Sequence, residues 1–190
     1  MDRILVIDNY DSFTYNLVHI LRALGYRDQM HIVRNDQFEL KEVDEYQHIL
    51  LSPGPGVPKD AGLMPQVIKQ YGATKNILGV CLGHQAIGEA YGSKLFNLPQ
   101  VYHGIVTPIT LTGHDPLFEA MPSSFQVCRY HSWVIDQASL SDDLVITSVA
   151  ENGNIMSVKH KEYSVRGVQF HPESIMTEHG IQLVKNWIEL

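Results

Sequence analysis

The sequence has few or none of the features that mark several protein classes. It holds two cysteines, Cys81 and Cys128, which are too few for a disulfide framework. It has no run of Lys and Arg, and its formal net charge of −7 argues against nucleic acid or an anionic membrane as a partner. No apolar stretch is long enough to cross a bilayer, and no signal-peptide pattern opens the chain. We therefore expect a cytoplasmic protein.

Nucleotide-binding loops and linkers are missing as well. The sequence contains neither GxGxxG nor GxxxxGK[ST], and it has no repeat, low-complexity segment or Pro/Ser-rich linker. Six histidines lack the spacing with Cys and carboxylates that is typical of zinc, so no metal site is expected: His19, His31, His48, His114, His160 and His179. With 190 residues and a hydrophobic content of 44%, the chain is predicted to form one domain over residues 1–190.

Buried strands and helices alternate in the first half of the chain, which predicts an α/β fold with an open, mostly parallel sheet flanked by helices. The apolar patterns predict strands at 4–7, 30–33, 48–51 and up to Cys81, and helices at 13–24, 40–44 and 63–71. The second half predicts antiparallel additions to the sheet, a smaller flanking sheet and a closing amphipathic helix. These strands are expected at 94–98, 101–111, 125–135, 144–150, 155–159 and 165–170, and the helix at 178–190.

The segment around Cys81 has the form of a nucleophile elbow. Gly79 and Gly83 flank Cys81 with the spacing that lets a buried strand turn sharply into a helix. The turn would push Sγ out from the backbone, and the positive end of the following helix favours the reactive thiolate. The alternative is a buried core cysteine beside a Gly-rich turn.

A cysteine nucleophile needs a base, and the strongest candidate is His171. It follows a predicted strand, so it should lie at the same sheet edge as Cys81. Glu173, two residues later, is close enough to hold one imidazole nitrogen while the other faces Sγ. The alternative is an incidental His and Glu at a strand end.

Two further segments are candidates for binding substrate. The loop 52–58 follows a buried strand, and within 53–58 only Gly54, Gly56 and Val57 have an N–H for an oxyanion. Gln85 lies one helical turn after Cys81, where it would bind an amide substrate or cap local backbone. A rigid turn with no binding role is the alternative for the loop.

Together, these segments resemble the class I, triad-type glutamine amidotransferases over essentially the whole chain. The narrower resemblance is to the glutaminase subunits of anthranilate synthase and of aminodeoxychorismate synthase. It rests on DNYDSF at 8–13, SPGPG at 52–56, GVCLGHQ at 79–85, YHS at 130–132 and GVQFHPES at 167–174.

The resemblance implies a fold, an activity and a set of roles. Cys81 attacks the side-chain amide of L-glutamine, His171 is the base and then the acid, and Glu173 orients His171. The N–H groups of Gly56 and Leu82 form the oxyanion hole. The glutamine pocket is lined by Gly54, Pro55, Gly56, Gln85, Ser132 and Trp133.

The resemblance also implies partners. Ammonia passes to a separate synthase subunit that aminates chorismate and uses Mg²⁺, while this chain itself needs no cofactor. The loop at 10–13 is expected to touch that subunit.

Two residues depart from the family pattern: Ile105 stands where Lys is usual, near the contact with the synthase, and Trp133 stands where Leu is usual. Because the pocket contact at 133 is largely main-chain, we expect it to survive. A Cys peptidase or γ-glutamyl hydrolase, and a non-catalytic module, are the alternative classes.

Overall fold

The computed structural model describes residues 3–190 and contains eleven strands and four α-helices in this range. The strands are β1 (Ile4–Asp8), β2 (Met30–Arg34), β3 (His48–Leu51), β4 (Asn76–Val80), β5 (Leu95–Asn97), β6 (Ile105–Leu111), β7 (Ser124–Arg129), β8 (Trp133–Ile135), β9 (Leu144–Ala150), β10 (Ile155–His160) and β11 (Val165–Val168). The helices are α1 (Thr14–Ala23), α2 (Met64–Tyr71), α3 (Leu82–Ala90) and α4 (Gly180–Ile188). The predicted helical piece at 40–44 is a 3₁₀-helix, Leu40–Glu45.

A nine-stranded sheet runs through the molecule in the order β2-β1-β3-β4-β11-β10-β9-β6-β7. The five strands from β2 to β11 are parallel, and each of the remaining four is antiparallel to its neighbours. Strands β5 and β8 form a separate antiparallel pair. The α/β prediction is therefore confirmed, with the antiparallel strands and the small flanking sheet contributed by the C-terminal half.

Hydrophobic cores lie on both faces of this sheet, because side chains along each strand alternate between faces. Val6 and Leu50 point to the face covered by α1 and α4, where Trp187 is fully buried. Ile7 and Leu51 point to the opposite face, which α2 and α3 cover. Strands buried on both faces explain the continuous apolar runs in the sequence.

The predicted strand at 125–135 is wrong in its length, because the chain divides into β7 and β8 in two different sheets. Between them, the His131 carbonyl accepts from Tyr102 N (2.9 Å) and the Ser132 carbonyl from Leu98 N (2.7 Å). These bonds draw residues 131–132 toward the 98–102 segment and away from the large sheet. The predicted strand at 101–111 likewise starts only at Ile105, after Gly104 with a φ of +68°.

Two smaller differences concern the C-terminal region. The strand predicted at 165–170 ends at Val168, and the closing helix is shorter than 178–190 at both ends. Ile181, which belongs to the apolar pattern of this helix, is 58% exposed instead of buried. The helix packs through Leu183, Val184 and Trp187, a stripe that leaves Ile181 on its outer side.

Candidate active site

Cys81 occupies a strained turn between β4 and α3. Its φ of 52° and ψ of −98° are unusual for a residue with a side chain, and strain of this kind concentrates at functional sites. The flanking glycines permit the turn. A Cβ on Gly79 would lie 2.4 Å from the Gly83 carbonyl carbon, and one on Gly83 would lie 2.7 Å from the Leu51 oxygen. The predicted sharp turn from strand to helix is confirmed, with Cys81 at the N-terminus of α3 and 6% exposed.

Strand β11 brings His171 to the same edge. It runs parallel to β4 with Val168 opposite Val80, and Cys81 N–H donates to the Val168 carbonyl at 2.8 Å. His171 follows three residues later, where its own N–H donates to Cys128 O at 3.0 Å. Because parallel strands end at one edge of the sheet, residues 90 positions apart in the chain become neighbours.

The His171 imidazole is oriented by Glu173. Its Nδ1 lies 2.6 Å from Glu173 Oε1, and both side chains are almost fully buried. Burial alone would lower the pKa of His171, but interactions with Cys81 and Glu173 outweigh it and raise that pKa from 6.5 to about 10. Nε2 makes no hydrogen bond of standard geometry, although the ring is close enough to Cys81 to interact with it. The rings of Phe13 and Tyr130 pack against the imidazole with centroids 5.2 Å away.

The raised pKa has a chemical consequence. A protonated imidazole beside a cysteine sulfur stabilises the thiolate, which is the nucleophilic form. The three side chains predicted as catalytic therefore form one buried cluster that is arranged for acyl transfer.

The loop 52–58 approaches the start of α3 closely. A Cβ on Gly54 would lie 2.6 Å from Asn9 Cβ and 2.7 Å from Leu82 Cδ2, so only glycine fits there. Gly56 has a φ of +74°, and Pro55 is exposed beside it. Leu82 is the first residue of α3, so its N–H has no partner within the helix.

Asn9 holds this loop in place, a role that sequence reasoning missed. Its Nδ2 donates to the Ser52 carbonyl at 2.8 Å, and its backbone N–H donates to Ser52 Oγ at 2.8 Å. Asn35 Nδ2 in turn donates to Asn9 Oδ1 at 3.0 Å. The available signal was a polar residue directly after buried β1, at the edge of the sheet that carries the site.

The remaining candidate residues form a second hydrogen-bonded group beside Cys81. Gln85 Nε2 donates to the Trp133 carbonyl at 2.9 Å and to Gln169 Oε1 at 3.2 Å, so Gln85 caps backbone in this structure. Gln169 Nε2 lies 3.6 Å from Cys81 Sγ. Sequence reasoning assigned no role to Gln169, although a polar residue directly after a buried strand and two residues before His171 was a usable signal.

Trp133 contacts Gln85 and borders a cavity. Its carbonyl accepts from Gln85 Nε2, and Ser132 precedes it as a half-buried residue. Trp133 also lines a cavity of about 740 Å³ together with Val57 and Glu89. Among residues 3–190, no group of three or more His, Cys, Asp or Glu side chains is placed to hold a metal ion. No helix within the same range has the length and apolar character needed to cross a membrane.

Comparison with known proteins gives matches along nearly the whole chain. The family model for "Glutamine amidotransferase class-I" matches residues 5–190. An anthranilate synthase component 2 from Pyropia yezoensis is 42% identical, over 98% of this chain and 98% of the relative. An aminodeoxychorismate synthase component 2 from Escherichia coli K12 is also 42% identical, over 97% of this chain and 98% of the relative.

A solved structure has the same overall architecture. It is a protein from Thermoplasma acidophilum described as part of a GMP synthase, with a TM-score of 0.88 and 26% sequence identity. The match covers 100% of this chain and 93% of the other. The likeness therefore extends across both the parallel and the antiparallel parts of the sheet.

Proposed function

The chain belongs to the class-I glutamine amidotransferase family, and from this premise we propose that it is the glutaminase subunit of an anthranilate synthase. The observation that carries the proposal is the cluster of Cys81 on a strained turn, with His171 interacting with it and Glu173 holding His171. The full-length similarity to anthranilate synthase component 2 supports the choice of pathway.

The proposed reaction uses these side chains in sequence. The Cys81 thiolate attacks the side-chain amide carbon of glutamine, and the N–H groups of Gly56 and Leu82 stabilise the oxyanion. His171 gives its proton to the nitrogen as the carbon–nitrogen bond breaks, which releases ammonia and leaves a γ-glutamyl thioester. His171 then takes a proton from water, which attacks the thioester, so that glutamate leaves and Cys81 is regenerated.

Glutamine would lie in the pocket between the loop 52–58 and the Ser132–Trp133 backbone. Gly54, Pro55 and Gln85 complete its walls in this proposal. The ammonia would pass to a separate synthase subunit that aminates chorismate in the cytoplasm. The two cysteines, both free, fit a reducing compartment.

A second candidate partner is the synthase subunit of aminodeoxychorismate synthase. The specific observation in its favour is the Escherichia coli relative, which is as similar to this chain as the Pyropia relative, at 42% identity. Both candidates require the same glutaminase chemistry and differ only in the product made by the partner.

The test uses the full chain and its Cys81→Ala variant with a purified anthranilate synthase component 1, chorismate, Mg²⁺ and L-glutamine. We expect glutamate and anthranilate from the wild-type chain and neither product from Cys81→Ala, while added ammonia restores anthranilate with the variant. Retained glutamine hydrolysis by Cys81→Ala would contradict the assignment. Aminodeoxychorismate formation with the alternative synthase, and no anthranilate with the first, would favour the second candidate.

A further inference from the structure

A buried cation lies behind the glutamine pocket. Arg129 is 1% exposed, and its guanidinium sits over the Tyr102 ring, 3.5 Å from the centroid. Its Nη1 reaches Thr107 Oγ1 at 3.4 Å, and no carboxylate within residues 3–190 forms an ion pair with it. Arginines are rarely buried without such a pair, so the contacts of Arg129 indicate its structural role.

The shorter of its two hydrogen bonds is with His131. Arg129 Nε donates to His131 Nε2 at 3.1 Å. A guanidinium has no acceptor, so His131 Nε2 must accept, and the single imidazole proton must be on Nδ1. Burial first, and then the Arg129 charge, lower the pKa of His131 to about 3, so the ring stays neutral at ordinary pH. Arg129 therefore holds His131 in one protonation state and one tautomer.

In this tautomer the imidazole has one N–H group, and it donates to the backbone beside the proposed glutamine pocket. His131 Nδ1–H donates to the Trp133 carbonyl at 3.0 Å. The same carbonyl accepts from Gln85 Nε2 at 2.9 Å. Gln85 Nε2 also donates to Gln169 Oε1, and Gln169 Nε2 donates to Cys81 Sγ. The Trp133 carbonyl is thus the junction between Arg129–His131 and the nucleophile.

The backbone around this junction depends on such bonds because it leaves regular structure. Residues 130–132 connect β7 in the large sheet with β8 in the small sheet. The carbonyls of His131 and Ser132 accept hydrogen bonds from backbone N–H groups of the 98–102 segment. The carbonyl of Trp133 accepts instead from the side chains of His131 and Gln85.

We propose that His131 is a positioning residue for glutamine, which it serves by fixing the Ser132–Trp133 backbone through its Nδ1–H. Arg129 supports it by occupying Nε2. This inference rests on the proposed function, because it takes the 132–133 backbone as a wall of the glutamine pocket. Loss of the bond would let this wall shift while Cys81 and His171 keep their own contacts.

The chain offers a matched pair of variants for the test. In His131→Asn, the side-chain amide nitrogen can take the place of Nδ1 and donate to Trp133. In His131→Gln, the longer side chain carries its amide to the position of Nε2, where the amide oxygen can accept from Arg129 Nε and no donor is left for the Trp133 carbonyl. Both variants are polar and of similar size, so a general loss of packing affects them alike.

Two reagents separate the pocket from the nucleophile. The diazoketone analogue of L-glutamine must occupy the pocket before it alkylates Cys81, whereas iodoacetamide reports the reactivity of the thiolate alone. Second-order alkylation rates are measured with both reagents on the full chain. Peptide mass analysis locates the label at Cys81 or Cys128, and thermal unfolding checks the fold of each variant.

We expect His131→Gln to react with the glutamine analogue about tenfold more slowly, the effect of one buried hydrogen bond. Its iodoacetamide rate should stay near that of the wild type, and His131→Asn should react like the wild type with both reagents. Equal losses in both variants, or parallel losses with both reagents, would overturn the positioning role. A wild-type chain that reacts with iodoacetamide at Cys81 but not with the analogue would overturn the proposed function itself.

Discussion

Replacement of Glu173 by Gln tests the electrostatic part of the site most directly. Glu173 Oε1 lies 2.6 Å from His171 Nδ1, and both side chains are almost completely removed from solvent. The Gln carbonyl oxygen can still accept from Nδ1–H, so the variant removes the negative charge and keeps a hydrogen bond. Any change in titration is then a consequence of charge.

The expected direction follows from the interaction. A carboxylate beside the ring favours imidazolium and raises the pKa of His171, which together with Cys81 brings it to about 10. Without the charge that pKa falls, so the imidazolium is lost at a lower pH. The alkaline limb of the pH–rate profile should therefore move to lower pH.

The size of the shift can be worked from hydrogen-bond energies. Bonds to charged groups contribute about 1.5–3 kcal/mol and neutral ones about 0.5–1.5 kcal/mol. The difference of about 1–1.5 kcal/mol corresponds to about one pKa unit. We expect the alkaline limb to move down by about one pH unit in Glu173→Gln.

The assay is kcat/KM for glutamine hydrolysis from acid to strongly alkaline pH. Glu178→Gln is the control, because Glu178 is exposed and its carboxylate accepts from Gln126 N–H away from the imidazole. An unmoved limb in Glu173→Gln, or one that moves to higher pH, would refute the reasoning.

The pH dependence of thermal stability tests the effect of the Glu173 charge independently of activity. A pKa raised in the folded state stabilises the fold fully below the unfolded value of 6.5, and this contribution is lost as pH rises through about 10. The fall in thermal stability caused by Glu173→Gln should therefore be largest below pH 6.5 and should shrink toward pH 10. A difference that grows with pH would contradict the assigned role of the charge.

Two further predictions concern the backbone of the site. Gly83→Ala should lower the free energy of unfolding by about 1–3 kcal/mol, because its Cβ would lie 2.7 Å from the Leu51 oxygen and the clash outweighs the better helix propensity of Ala. Gly88→Ala in the same helix is the control, since its Cβ meets only the movable side chain of Ile135. The free energy of unfolding is measured with urea, and equal losses in both variants would contradict the role of the close approach between Gly83 and the Leu51 backbone. Asn9→Ala should cost about 1–3 kcal/mol and weaken glutamine binding, because it leaves the Ser52 carbonyl and the Asn35 amide without their partner. A wild-type KM and an unchanged urea midpoint in this variant would rule out that Asn9 holds the loop 52–58 in place.

The sequence by itself determined the parts of the site that depend on local geometry. Gly79 and Gly83 predict a turn in which strand and helix nearly touch, and Cys81 stands at its apex. His171 and Glu173 are two residues apart, so their contact is a short-range property of the chain. The continuous apolar runs predicted buried parallel strands, and such strands end at a common edge, which is why Cys81 and His171 could be paired in advance.

Only the tertiary structure decided how the surroundings of that cluster are held. The division of 125–135 between two sheets, the exposed position of Ile181 and the clamp at Asn9 all depend on which segments pack together. The bonds from Gln85 to Trp133 and to Gln169 join residues 48 and 84 positions apart. A sequence pattern encodes the conformation of a segment through its own periodicity, whereas the partner of a polar side chain is chosen by the fold, where an unpaired group is too costly to bury.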